Sequence, residues 1–142
     1  MGGVLQLMSR RAAERRHRPA PGGEPTPAQI KAFGDAILRR LEEIVPQVYK
    51  AKPDGKRTIK ERDVRAALGK SSALVPPVEH LPSRHCTRKL MDAGAVDCFF
   101  FPRATFRKLV KSRESKDKRL RWTKKSMAVL QHFVEAEKLA SL

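Results

Sequence analysis

The sequence predicts an all-α fold, on three observations. Apolar residues recur at helical spacing over two long stretches, Ile30 to Val48 and Met127 to Val134. A threonine stands just ahead of each, at Thr26 and Thr123, where a side-chain oxygen can take up the free N–H groups of a helix start. Extended backbone is suggested only over the β-branched pair Thr58-Ile59, a very short piece.

Taken in order, residues 1–26 hold five Arg and two Glu and end in the Pro/Gly cluster PAPGGEPTP, which cannot propagate a helix. This part reads as a flexible basic tail, with RRAAERRHR as a nuclear address or a loose phosphate-binding arm. Thr26-Pro27 then starts a helix that carries Ile30, Phe33, Ile37, Leu41, Ile44, Val45 and Val48 on one stripe to about Lys52. Pro46 is expected to kink its last turns. Pro53-Asp54-Gly55 forces a turn, and KRTI supplies a very short extended piece. A compact helix over KERDVRAALGK follows, with Val64, Ala67 and Leu68 inward and Gly69 as its stop.

The proline-punctuated stretch SSALVPPVEHLPSRHCTRKLMDAG is expected to hold one further helix, from about Val78 or Ser83 to Met91. Gly94 to Phe101 is a linker whose three closing phenylalanines suit core packing better than base stacking. A short helix from about Ala104 to Ser112, a basic loop, and a longer helix from a Thr123 cap through Met127, Leu130, Phe133 and Val134 complete the chain.

Charge narrows the function. The chain of 142 residues carries a net +16. The stretch Pro102 to Lys125 alone sets eleven Lys/Arg against Glu114 and Asp117, a net +9. A segment both helical and this basic calls for an anionic partner, with nucleic acid ahead of a membrane surface. No apolar run approaches a membrane span, the longest being Val96 to Phe101 with Asp97 inside it, and MGGVLQLMSRR is too short for a secretory signal. Cys86 and Cys98 give no disulfide framework and suit a reducing compartment. His80, His85, Cys86 and Cys98 match no familiar zinc spacing, and no nucleophile-base pair or phosphate-binding glycine loop is present. The expectation is a non-enzyme without metal or cofactor.

The helix order contains a mirror: long then short in the first half, short then long in the second, each pair across a loop rich in Lys and Arg. GKRTIKERDVRAAL resembles the second loop and third helix of a core histone. FGDAILRRL resembles the central helix of histone 2B, and LVPPVEHLPSRHCTRKLM its extra carboxy-terminal helix. FFFPRATFRKLVKS is similar to the Phe-Pro opening and first helix of histone 2A, and MAVLQHFVEAEKLA to its central helix. RLRWTKKSMAVLQ is also similar to the first-loop region of histone 3, but histone 2A is the usual companion of 2B. Residues 27–142 thus resemble a virus-encoded histone doublet in a truncated, miniature form. In it a 2B-like part (27–93), a linker (94–101) and a 2A-like part (102–142) follow the tail.

That resemblance implies a truncated histone-fold pseudo-dimer in one chain. The 2B-like part lacks a first helix and loop, and the 2A-like part stops at Leu142 before a second loop and third helix. A full pair has antiparallel central helices with unlike loops meeting at each end, and these omissions remove one end. The resemblance therefore places Lys56, Arg57, Thr58 and Ile59 beside Lys116, Lys118, Arg119 and Arg121, in a cradle for duplex phosphates flanked by helix amino termini. Thr58 and the amides around Ile59 would bind a phosphate, and Arg57 would brace it. Arg119 or Arg121 would enter a minor groove, and Arg103, Arg107, Lys108, Lys124 and Lys125 would extend the track.

The implied partner is double-stranded DNA, joined by other histones or histone doublets of the 3/4 type, with no membrane and no small-molecule substrate. The implied location is a host nucleus, a viral factory or the virion. Ala136 and Leu139 stand where the family has acids, and Arg84 is similarly placed. Glu79, Glu135 and Glu137 remain nearby, yet a complete acidic patch is not expected. Two other functions compete: a histone-fold transcription regulator that heterodimerises with another histone-like chain, and a basic RNA-binding protein of an organelle ribosome.

Overall fold

In the computed structural model, which describes residues 25–85, 98–114 and 120–141, Thr26 opens the first described helix as the sequence predicts. Its hydroxyl accepts the Gln29 amide at 3.2 Å, and the Gln29 side chain accepts the Thr26 amide at 2.7 Å. The reciprocal pair satisfies two N–H groups that a helix start leaves free. Helix α1 spans Pro27–Ala51 and buries the whole predicted stripe from Ile30 to Val48. It continues through Pro46, which is exposed, so the carbonyl left without its helical donor faces water.

Lys56 then donates to the Pro53 carbonyl at 3.3 Å, with Gly55 at φ +81°, a value that favours glycine. Strand β1 is Thr58–Ile59, and α2 runs Glu61–Leu68. Its start is capped by Asp63, a buried carboxylate that accepts the Lys60 amide at 2.8 Å. Gly69 ends it at φ +59° and leads into a 3-10 helix, Gly69–Leu74.

The following segment corrects one expectation. No α-helix starts at Val78 or Ser83: Val78–His80 is a single 3-10 turn, and Ser83 to His85 are not helical. Pro82 explains why a helix from Val78 does not run on, because it lacks an N–H and disfavours helical backbone at Leu81. The expected continuation to Met91 lies outside the described residues from residue 86 onward. His85 instead forms a parallel bridge with Phe99, whose amide donates to the Arg84 carbonyl at 2.8 Å. Arg65 holds this stretch against α2, donating to Glu61 at 2.9 Å and to the carbonyls of Val75 and Pro76 at 3.1 and 2.8 Å.

Helix α3 is Arg103–Arg113, β2 is Arg121–Trp122 and α4 is Lys124–Ala140. Thr123 caps α4 by accepting the Ser126 amide at 3.1 Å. The fold is mostly helical, with two strands of two residues each among the described residues. One apolar cluster joins both halves: Ile30 through Val48, Ile59 and Val64 meet Phe106, Val110, Trp122 and the inner face of α4.

Helices α1 and α4 run antiparallel. Arg40 bonds Glu137 at 2.7 Å, whereas Tyr49, nine residues further along α1, meets Glu114, whose carboxylate also holds the amide of Leu120, four residues before α4. Phe99, Phe100 and Phe101 are 1%, 2% and 5% exposed, so they are core as expected. Phe33 stacks on Phe101 with centroids 5.8 Å apart and meets the edge of Phe100 at 5.1 Å. Each such burial contributes roughly 1.5–3 kcal/mol.

Candidate nucleic-acid interface

Strands β1 and β2 pair in parallel, Thr58 opposite Arg121 and Ile59 opposite Trp122. The amides of Arg121 and Thr123 donate to the carbonyls of Arg57 and Ile59 at 2.9 and 3.1 Å. Side chains alternate along a strand, so one face of this ladder must turn inward. Ile59 (0% exposed) and Trp122 (3%) do so, and Arg121 points to solvent with Thr58 half-buried beside it. Segments some sixty residues apart are thereby held edge to edge by two apolar anchors.

The Ile59 side chain lies in the core and its carbonyl is taken by the Thr123 amide, so these two groups anchor the pairing. Because the carbonyls of residues 57 and 59 point across the ladder, the main-chain groups of Thr58 face the other way. The flanking helix starts are also less open than expected. Asp63 already satisfies the Lys60 amide and Thr123 satisfies that of Ser126.

A buried acid braces β2 from behind. The Glu114 side chain is fully buried and accepts the Leu120 amide at 3.2 Å and the Tyr49 hydroxyl in a short hydrogen bond. Lys111 lies 3.0 Å from the same carboxylate and donates to the Leu120 carbonyl at 2.7 Å. Burial by itself would raise the pKa of Glu114. The hydrogen bonds from Tyr49, Lys111 and Leu120, aided by the nearby Trp122 indole, outweigh it and hold the carboxyl below its ordinary value. Tyr49 is pushed well above the usual tyrosine range, first by burial and then by Glu114.

The predicted cations divide into groups. Lys56, Arg57, Arg121, Lys124 and Lys125 are exposed around the ladder. Lys116, Lys118 and Arg119 lie outside the described residues. Arg103, Arg107 and Lys108 are exposed on α3, but Arg103 is at the end remote from the ladder. Phe101, just before α3, donates its amide to Glu135 at 3.0 Å, twelve residues beyond Thr123 on α4, a separation of about 18 Å. Not all of the local charge is free: Lys111 pairs with Glu114, and Arg113 with Glu42 at 2.6 Å.

Residues that sequence patterns alone do not single out complete the surroundings. Lys60 and Arg62 line a hollow with Lys56, Arg57 and Thr58. Glu135 is fully buried and accepts the amides of Phe100 and Phe101 at 2.7 and 3.0 Å, with Gln131 donating to it at 2.9 Å. It is therefore not a surface acid. Leu139 is also buried, and Glu137 is engaged by Arg40.

Among the described residues no group of three or more His, Cys, Asp or Glu is placed to hold a metal ion. None of their helices is long and apolar enough to cross a membrane. Comparison with models of protein families, with curated proteins and with solved structures returned no match.

Proposed function

We propose that the chain is a structural DNA-binding protein, a miniature histone doublet that grips duplex phosphates without reading sequence and compacts genomic DNA. The observation that carries this reading is the parallel pairing of Thr58–Ile59 with Arg121–Trp122, two short strands flanked in sequence by the exposed Lys56, Arg57, Lys124 and Lys125 and containing the exposed Arg121. Arg57 precedes β1, Arg121 opens β2 opposite Thr58, and the main-chain groups of Thr58 face away from β2. Exposed cationic side chains with a hydroxyl and a backbone donor nearby suit successive phosphates. The tyrosine, tryptophan and phenylalanines described are packed into the fold, which leaves no platform for stacking unpaired bases, so duplex is favoured over single strands.

The self-contained core favours this reading over an obligate heterodimer. Among the described residues Leu74 is the one large hydrophobic side chain left exposed, at 74%. The test is a titration with mixed-sequence duplexes of about 30 base pairs at several salt concentrations, with structured RNA alongside. Affinity should be indifferent to base sequence and fall steeply with salt. Tighter binding to RNA at matched salt would favour the ribosomal alternative, and sequence preference would contradict the phosphate grip.

A further inference from the structure

Beside β1 lies a hollow of about 220 Å³, built by the turn at Pro53, the strand and the start of α2. Lys56, Arg57, Lys60 and Arg62 ring it, and Thr58 adds a hydroxyl. The one acid in its lining, Asp63, is buried, and its carboxylate is engaged by the Lys60 amide at 2.8 Å and approached by Arg62 at 4.0 Å. Among the described residues no acid pairs with the side chains of Lys56, Arg57 or Lys60. Four cations against one committed carboxylate leave a net +3 around a concave space.

A duplex is a convex rod whose phosphates meet projecting side chains, and filling a hollow takes something smaller. At about 30 Å³ per water, the space equals roughly seven waters, more than one bridging phosphate needs. The cationic fork of Arg62 and the point charges of Lys56 and Lys60 suit several phosphoryl groups in succession.

We infer that this hollow binds a compact phosphate chain, supplied by inorganic polyphosphate or by the triphosphate of a nucleotide, and that its occupant competes with duplex DNA. The competition rests on the DNA-binding reading, because Arg57 and Thr58 belong to both surfaces; the binding itself does not. A high level of such an anion would loosen the protein's hold on DNA.

Isothermal titration of the full chain with inorganic tripolyphosphate, and separately with a nucleoside triphosphate, tests it at about 50 mM salt without divalent ions. One saturable site is expected. Replacing Lys60→Ala and Arg62→Ala together should weaken it at least about tenfold. Lys124→Ala with Lys125→Ala, which removes the same charge elsewhere, should change it less than about threefold. Equal affinity for the two probes would assign the site to the phosphate chain alone, and tighter nucleotide binding would assign it to nucleotides. Unsaturable binding, or equal losses in both double variants, would overturn the site. Tripolyphosphate should also displace bound duplex. Binding without displacement would overturn the overlap, and duplex binding without tripolyphosphate binding would overturn the hollow while leaving the DNA reading intact.

Discussion

Glu114 accepts the Leu120 amide at 3.2 Å, so a buried carboxylate holds together the two ends of the basic segment 115–119. Tyr49 from α1 and Lys111 from α3 converge on the same acid, and Lys111 also takes the Leu120 carbonyl. Glu114 and Leu120 are thus joined directly, and Tyr49 and Lys111 tie the pair to α1 and α3. That fastening sets where β2 begins, and therefore where Arg121 meets Thr58.

Replacing Glu114→Gln should lower stability at neutral pH by about 2–3 kcal/mol, since it removes the charge that Lys111 and Tyr49 are arranged to meet. The folded carboxyl is more acidic than the unfolded one. Its contribution is therefore full above the ordinary glutamate range and lost as pH falls through the folded value. Urea unfolding at about pH 7 and about pH 3.5 checks this. The gap between variant and wild type should narrow in acid, and a constant gap would show that the charge is not its source.

Glu135 gives a second, independent case. Its carboxylate accepts two consecutive amides of the phenylalanine triplet. In Glu135→Gln the new amide group cannot accept both, and one buried N–H is stranded at a cost of about 1–3 kcal/mol. Chemical denaturation reads this directly. A loss under about 0.5 kcal/mol would mean that the triplet is held by packing alone.

Sedimentation equilibrium without DNA should report a single species of 16.0 kDa, because the described apolar faces are already covered. A stable dimer across the working concentration range would contradict that self-contained core and revive the heterodimerising alternative.

The exposed cations should not count equally. Removing both Lys124 and Lys125 should reduce the slope of log affinity against log salt by about 1–2, at about 0.9 for each phosphate no longer neutralised. Arg103→Ala should change it by less than about 0.5, since Arg103 begins α3, about 15 Å along that helix from Arg113 at its other end. Equal effects would describe a diffuse charge field rather than a site.

Much of this arrangement is legible in the residues. Thr26 and Thr123 announce their caps, Gly55 and Gly69 their turns, and the apolar stripes of α1 and α4 their buried faces, because these signals are local. Glu114 is not legible, since its partner Tyr49 is 65 residues away and nothing nearby marks an acid as buried. The core role of Ile59 is hidden for a related reason. Alternation over two residues cannot tell which side faces the core until the second strand is in place. The helix expected from Val78 fails on Pro82, a local signal that outweighs the apolar spacing around it.

On the proposed reading, two distant segments form one phosphate-binding surface. Binding of a mixed-sequence duplex by the triple variant Arg57→Ala, Thr58→Ala, Arg121→Ala is compared with wild type at matched salt. A loss of about 30-fold is expected, equivalent to about 2 kcal/mol, with helical content and unfolding midpoint unchanged. Affinity within about threefold of wild type would contradict it.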